Sequence, residues 1–230
     1  MIFRGLQKTT LIDYPSHIAS TLFVDKCNFR CGFCQNPSLV LEKETREIPE
    51  KEALEFLKNR KKYLEGVCIS GGEPTVHGGL KFFITQVKEL GLKVKLDTNG
   101  TNPSLLRELI NEKMVDYVAM DIKGPLERYD AIANVRVDIE AVKESIELLK
   151  EGKVDYEFRT TVVPTIICLD DIEKIGLLVE GARFFALQQF VNEVPLVDDK
   201  FREIQSYPVE VLQGMAKILE KYVKRVEVRE

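Results

Sequence analysis

The sequence predicts an α/β fold in which parallel strands alternate with helices. Short apolar runs rich in β-branched residues and longer amphipathic stretches follow one another along the 230 residues, a pattern typical of parallel strands joined by right-handed helical crossovers. Six such units are predicted, and the chain is shorter than the about 250 residues of an eight-unit barrel. A six-unit partial barrel and an open doubly wound sheet both fit. No linker or low-complexity tract interrupts the chain, so we expect residues 1–230 to form a single domain.

The elements follow from the period of the apolar residues. The predicted strands are Ile18–Asp25, Gly66–Ser70, Leu92–Asp97, Tyr117–Asp121, Val154–Val163 and Phe184–Phe190, before a short terminal run Val226–Val228. The predicted helices are Pro49–Leu64, Leu80–Leu90, Ser104–Asn111, Ile139–Lys150, Asp171–Glu180 and Val209–Val223. Pro49 suits a first helical turn, and Asp170 is a candidate N-cap.

The composition argues against several classes of protein. With 44% hydrophobic and 30% charged residues, the chain is typical of soluble globular proteins. A formal net charge of −4 argues against nucleic-acid binding, which requires concentrated positive charge. No apolar run approaches the about 20 residues of a transmembrane helix, and the first residues lack a signal-peptide core. We therefore expect a cytoplasmic protein without a membrane or nucleic-acid partner.

Three of the five cysteines lie in the run Cys27–Asn28–Phe29–Arg30–Cys31–Gly32–Phe33–Cys34. This C-x3-C-x2-C spacing indicates a metal site, because clustered thiols in a cytosolic protein more often bind metal than form disulfides. Structural zinc requires four ligands, commonly as two close pairs. Here a second cysteine pair is missing, and His17 and His77 are the two imidazoles. On a [4Fe–4S] cluster, three thiolates leave one iron open to a cofactor or substrate.

Further motifs follow the next predicted strands, at the edge where parallel α/β sheets gather their chemistry. Ser70–Gly71–Gly72–Glu73–Pro74 contains paired glycines, which allow close approach of the backbone to a ligand. Asp97–Thr98–Asn99–Gly100 and Asp121–Ile122–Lys123–Gly124 end the third and fourth strands, where either would also serve as an ordinary turn. Cys68 and Cys168 stand apart and are expected to be inert, packed thiols.

Together these motifs resemble the radical S-adenosylmethionine (SAM) superfamily, whose pattern C-x3-C-x-(aromatic)-C has Phe33 at the aromatic position. The resemblance implies a partial (β/α)6 barrel of the radical SAM type and a [4Fe–4S] cluster on Cys27, Cys31 and Cys34. It further implies that SAM chelates the open iron. Reduction by one electron would then cleave SAM to methionine and a 5′-deoxyadenosyl radical.

The same resemblance implies the remaining site residues and no catalytic side chain beyond the cluster and cofactor. By comparison with pyruvate formate-lyase activating enzyme, Asp97 and Asp121 would hold a monovalent cation beside the methionine carboxylate. The arginine five residues before Pro164 would pair with a carboxylate-bearing ligand, with a surface ion pair as the alternative. The implied contacts to SAM are Phe33, Gly71, Gly72, Glu73, Asp121, Lys123 and Arg159.

Within the superfamily the chain resembles glycyl-radical enzyme activating enzymes, in particular the activating proteins of anaerobic ribonucleoside-triphosphate reductase. The resemblance rests on Lys8–Pro15, the cysteine run and Gln35–Asn36–Pro37. It implies a glycyl-radical enzyme as protein substrate and a one-electron donor such as flavodoxin or ferredoxin. Ser16 and Gln35 depart from the pattern of the activating enzymes, and we expect both on the side that faces the protein substrate.

Two other functions remain open at this point. A small-molecule radical enzyme, such as a 7-carboxy-7-deazaguanine synthase-like protein, is comparably small. Such an enzyme would close a polar pocket, whereas an activating enzyme leaves its site open to a peptide loop. A non-catalytic iron–sulfur or other metal-binding module needs the cysteines alone and leaves the GGEP, DTNG and DIK motifs unexplained.

Overall fold

The computed structural model describes residues 1–43 and 46–230, and its strands form one nine-stranded sheet. The strands are β1 (Ile2–Thr10), β2 (Ala19–Val24), β3 (Ile48–Pro49), β4 (Gly66–Gly71), β5 (Lys93–Thr98), β6 (Tyr117–Asp121), β7 (Asp155–Val162), β8 (Phe185–Gln189) and β9 (Val226–Arg229). Their order is β3-β1-β2-β4-β5-β6-β7-β8-β9. From β2 to β9 every neighbouring pair in this order is parallel. The first strand pairs antiparallel with both β2 and β3.

Helices connect the parallel strands. They are α1 (Pro37–Val40), α2 (Glu50–Arg60), α3 (Leu80–Glu89), α4 (Pro103–Asn111), α5 (Tyr129–Ala133), α6 (Ile139–Lys150), α7 (Leu169–Leu178) and α8 (Val209–Leu219). Six strand–helix units run from β2 to α8, and among the described residues β3 and β9 are the two ends of an open sheet. The predicted partial (β/α)6 barrel is therefore confirmed. None of the described helices is both long and apolar enough to cross a membrane.

The two faces of the strands have different chemistry, as β5 illustrates. Val94 and Leu96 are fully buried in the hydrophobic core. Lys95 and Asp97 alternate with them and therefore point to the opposite face, the inside of the barrel. The core thus holds the strands rigidly while polar side chains are displayed on the inner face.

The structure differs from the sequence-based predictions at several points, among them Pro49, which is the N-cap of α2 rather than part of its first turn, and the short helices α1 and α5, which were not predicted. The first strand and its short partner β3 were not predicted, since β1 buries little beyond Phe3 and Thr10 and lacks a continuous apolar pattern. The seventh helix begins at Leu169, so Cys168 is its N-cap and the assignment of Asp170 was wrong. The Asp171 carboxylate accepts a hydrogen bond of 2.8 Å from the backbone N–H of Cys168, which is the return half of a capping box.

A further difference concerns Ser16, which lies in the loop before β2 and hence at the opposite end of that strand from the cysteine run. Tyr14 in this loop is buried, and its ring centroid lies 6.1 Å from that of Tyr117, the first residue of β6. A Cβ atom on Gly66, the first residue of β4, would come within 2.8 Å of the Tyr14 ring. The loop therefore closes the amino-terminal end of the barrel, and Ser16 does not lie on the same side as Gln35, contrary to expectation.

Candidate active site

A cavity of about 360 Å³ opens at the carboxyl ends of the parallel strands. It is lined by the cysteine run and by residues that follow or end β4, β5, β6, β7 and β8. The structure brings together every site residue named from the sequence: Cys27, Cys31, Phe33, Cys34, Gly71, Gly72, Glu73, Asp97, Asp121, Lys123 and Arg159. Gln35 also lines the cavity, whereas Cys168 is exposed elsewhere.

The cysteine run is held by hydrogen bonds within itself and to the end of β5. The backbone N–H of Cys34 donates to the carbonyl oxygen of Cys31 at 3.1 Å. The side-chain amide of Asn99, in the DTNG motif, donates to the side-chain oxygen of Asn28 at 2.7 Å. These bonds fix the loop as it leaves β2, so that its thiols face the end of the neighbouring strands.

The segment after β8 packs on the other side of the cysteine run. The backbone N–H of Asp198 donates to the carbonyl oxygen of Gly32 at 2.9 Å. Phe33 is buried, and its ring centroid lies 6.1 Å from that of Phe201. A Cβ atom at position 32 would collide with the ring of Phe201, which explains the glycine between the second and third cysteines.

Cys31 is buried, Cys27 and Cys34 are half-buried, and all three thiols face a positive charge. Burial raises the pKa of Cys27 to about 12 and also raises the pKa values of Cys31 and Cys34, while the ammonium of Lys123 acts in the opposite direction on all three. Metal binding is therefore coupled to loss of the thiol protons. Among the described residues no three Cys, His, Asp or Glu side chains are placed to chelate a single metal ion. An iron–sulfur cluster does not require this, because each of the three cysteine thiolates binds a different iron atom of the cluster.

The paired glycines bring the end of β4 against the entry to the cysteine run. Gly71 has φ of +108°, which favours glycine. The backbone N–H of Gly72 donates to the carbonyl oxygen of Val24 at 2.9 Å. The backbone N–H of Glu73 donates to the carbonyl oxygen of Lys26 at 2.7 Å. A Cβ atom on Gly72 would lie 2.6 Å from the carbonyl oxygen of Asp25 and closer still to that of Lys26. These glycines are thus needed for the close approach of two strand ends.

The carboxylate of Glu73 is turned into the protein. It is 2% exposed and accepts hydrogen bonds from the backbone N–H groups of Thr75 at 3.1 Å and Asn99 at 2.7 Å, and from the Thr98 hydroxyl at 2.7 Å. Burial raises the pKa of Glu73 above its ordinary value, and these hydrogen bonds oppose that shift. Its side chain connects the GGEP loop to the DTNG loop by hydrogen bonds. If Glu73 contacts SAM, it therefore does so through its backbone.

Arg159 joins the two aspartates at the centre of the cavity. Its Nε donates to Asp121 Oδ1 at 2.8 Å, and its Nη1 donates to Asp97 Oδ2 at 3.3 Å. Lys123 Nζ donates to Asp121 Oδ2 at 3.1 Å. Burial alone would raise the pKa of Asp121, but Arg159 and Lys123 outweigh it and lower this pKa to about 2. Both aspartates are therefore ionised at neutral pH.

Two further side chains contact Asp97, and neither was singled out from the sequence. Ser70 Oγ donates to Asp97 Oδ2 at 2.9 Å, and the ammonium of Lys95 is ion-paired with Asp97 Oδ1. A signal for Lys95 was present, because a charged residue two positions before Asp97 on a strand shares its face. Other cavity-lining residues that were not predicted are Asp13, Asn36, Thr161 and Gln188.

The aspartates do not fit the monovalent cation that the resemblance implied. Each of the four carboxylate oxygens of Asp97 and Asp121 already accepts from Lys95, Ser70, Arg159 or Lys123. A metal ion would need those oxygens as ligands. It would also add a fourth positive charge beside two negative ones.

Comparisons with known proteins identify the family. The sequence model of the radical SAM superfamily matches residues 21–178. A Methanocaldococcus jannaschii protein provisionally named a glycyl-radical enzyme activating enzyme is 34% identical over 232 residues, covering 98% of this chain and 94% of that protein. The pyruvate formate-lyase-activating enzyme of Clostridium pasteurianum is 24% identical, covering 96% of each chain. The 7-carboxy-7-deazaguanine synthase of Thermoplasma acidophilum is 34% identical over 100 residues, covering 43% of this chain and 44% of that enzyme.

The solved structures agree on the fold. The crystal structure of Streptococcus suis SuiB bound to its precursor peptide SuiA superposes with a TM-score of 0.71 at 15% identity. The match covers 91% of this chain, which spans about half (48%) of the SuiB chain. Superfamily membership implies a [4Fe–4S] cluster and SAM, and the thiols at the cavity fit that cluster. The chain belongs to the radical SAM superfamily.

Proposed function

We propose that the chain is a glycyl-radical enzyme activating enzyme, which uses SAM to place a radical on a glycine of a partner protein, of the anaerobic ribonucleotide reductase type. The observation that carries this proposal is the end-to-end match to two proteins named as activating enzymes. The match to the deazaguanine synthase covers less than half of either chain. We take residues 1–230 to act as one radical SAM domain.

The cysteine run is the proposed cluster site. Cys27, Cys31 and Cys34 line one cavity, and their thiolates would each bind one iron and leave the fourth iron open for SAM. When bound and reduced, the cluster would supply one electron to split the SAM sulfonium into methionine and a 5′-deoxyadenosyl radical. That radical would take a hydrogen atom from a glycine Cα, giving 5′-deoxyadenosine and a glycyl radical. The electron would come from a flavodoxin or ferredoxin.

The side chains around the cysteines bind and orient the cofactor in this proposal. Asp121 and Lys123 lie beside the thiols, and Phe33 forms a wall braced by Phe201. The three cationic side chains Lys95, Lys123 and Arg159 face two carboxylates. Of these cations, Lys123 and Arg159 line the cavity, and cationic donors suit the carboxylate of SAM.

Access to the cavity is compatible with a protein substrate. The buried Tyr14 closes the amino-terminal end of the barrel, so a substrate enters from the carboxyl edge. The SuiB structure was solved with a precursor peptide, and a fold of this kind can therefore receive a polypeptide.

The test uses the anaerobically reconstituted protein with SAM, a reductant and a glycyl-radical enzyme from the same genome. We expect a glycyl radical by electron paramagnetic resonance on the partner, dependent on SAM and absent with the Cys31→Ala variant. Conversion of the small-molecule substrate of 7-carboxy-7-deazaguanine synthases, with no radical on any glycyl-radical enzyme of that genome, would contradict the proposal.

A further inference from the structure

Lys95 is a buried charge that the motifs of the superfamily leave unexplained. Its side chain is 2% exposed. Lysine is almost never buried this completely unless its charge is paired, because removing an ammonium from water is costly. Its retention inside the barrel therefore indicates a specific electrostatic partner.

That partner is Asp97. The Lys95 ammonium is ion-paired with Asp97 Oδ1 and lies 3.8 Å from the sulfur of Cys68. Strand β5 thus supplies a permanent positive charge directly behind Asp97.

This charge has the properties of a bound monovalent cation. An ammonium carries a single positive charge and three donors but accepts no hydrogen bond, so it satisfies a carboxylate oxygen much as an alkali ion does. Because the strand holds the lysine in place, no ion has to be captured from solution. Together with Arg159 and Lys123, it places three cationic side chains beside the two carboxylates of Asp97 and Asp121.

We propose that Lys95 takes the place of a monovalent metal cation, so that SAM binds without sodium or potassium. The lysine is a positioning residue: it holds Asp97, which in turn accepts from Arg159 Nη1 at 3.3 Å, and it supplies the charge that balances the SAM carboxylate. The inference rests on SAM binding in this cavity and is independent of which substrate the radical attacks.

The first test needs no substitution. The affinity of the cluster-loaded protein for SAM is measured by equilibrium dialysis in sodium, potassium or choline chloride at equal ionic strength. We expect the three dissociation constants to agree within about 2-fold, well under 1 kcal/mol. Affinity at least about 10-fold weaker in choline than in an alkali salt would overturn the proposal.

The second test removes the charge. In choline chloride, Lys95→Met should bind SAM about 10-fold or more weakly, the scale of losing a charge-assisted contact. Sodium or potassium should restore most of the affinity, because the released oxygen of Asp97 can then bind an ion. The matched control is Lys93→Met, at an exposed position two residues earlier on the same strand face, which should behave as the wild type in all three salts.

A readout without cofactor accompanies these measurements. The unfolding temperature of the cluster-free Lys95→Met protein should be higher in an alkali salt than in choline chloride, whereas that of the wild type should not differ. An unchanged SAM affinity in Lys95→Met, or a loss that no alkali ion repairs, would contradict the proposal. Should Lys95→Met fail to fold, the wild-type salt series decides by itself.

Discussion

Asp121 shows how single residues set the charge of the cavity. Its two oxygens accept from Arg159 and Lys123, and these cations lower its pKa from 3.8 to about 2 against the effect of burial. A carboxylate with a depressed pKa in the folded state stabilises the protein above its unfolded pKa, and this contribution is lost as the pH falls through the folded pKa. The contribution of the Asp121 carboxylate to the free energy of unfolding should therefore be complete above about pH 4 and be lost as the pH falls towards about 2.

We predict that Asp121→Asn lowers the free energy of unfolding by about 1–3 kcal/mol at pH 7, since Arg159 and Lys123 lose their charged partner. Urea unfolding of the cluster-free proteins at several pH values should show this difference shrinking below pH 4. A difference that stays constant down to pH 2.5 would contradict the assignment of the low pKa. Asp199→Asn, whose side chain is 87% exposed, is the control and should change stability by less than about 0.5 kcal/mol.

At this scale the sequence allowed the members of the site to be predicted better than their contacts. The motif residues all line one cavity, because each follows a strand of the same parallel sheet. The pairing of Lys95 with Asp97 could have been found, because the two residues share one face of β5. The hydrogen bonds that the Glu73 carboxylate accepts from Thr98 and Asn99 depend on side-chain directions across neighbouring strands. A spacing within one motif carries no such information.

At the scale of elements, the six barrel strands could be predicted because parallel strands buried on their helix face are apolar runs. Helix α6 was predicted with the bounds observed, Ile139–Lys150, since its period and its Asp138 cap agree. Strand β1 could not be found this way: it is held by backbone pairing with β2, and its exposed polar residues give no apolar alternation. The start of α7 was missed because Asp170 was predicted as the N-cap, whereas Cys168 caps the helix and Asp171 accepts from its backbone N–H.

The junction between β4 and the cysteine run gives a prediction for one element boundary. Gly72→Ala should lower the free energy of unfolding of the cluster-free protein by about 1–3 kcal/mol, the usual cost of forcing an atom into a packed site. The added methyl would meet the carbonyl oxygens of Asp25 and Lys26. Gly78→Ala is the matched control in the same loop, since a Cβ there meets nothing within 4 Å. Equal stability of the two variants by urea unfolding would show that the close approach is not required.

At the scale of the whole molecule, the barrel has one closed and one open end. Tyr14 plugs the amino-terminal end, polar side chains fill the interior around Arg159, and the cavity with its three thiols opens at the carboxyl edge. At the open end, Phe33 of the cysteine run packs against Phe201. We propose that this end carries a cluster that cleaves SAM.

The measurement that tests this claim most directly is the product formed from SAM by the anaerobically reconstituted protein with dithionite. We predict 5′-deoxyadenosine and methionine, formed slowly without a partner, by protein holding about four irons per chain. The Cys31→Ala variant should lose both the iron and the product, whereas Cys168→Ala, at an exposed position outside the cavity, should retain both. Methylthioadenosine or S-adenosylhomocysteine as the main product, or an intact cluster in Cys31→Ala, would contradict the account.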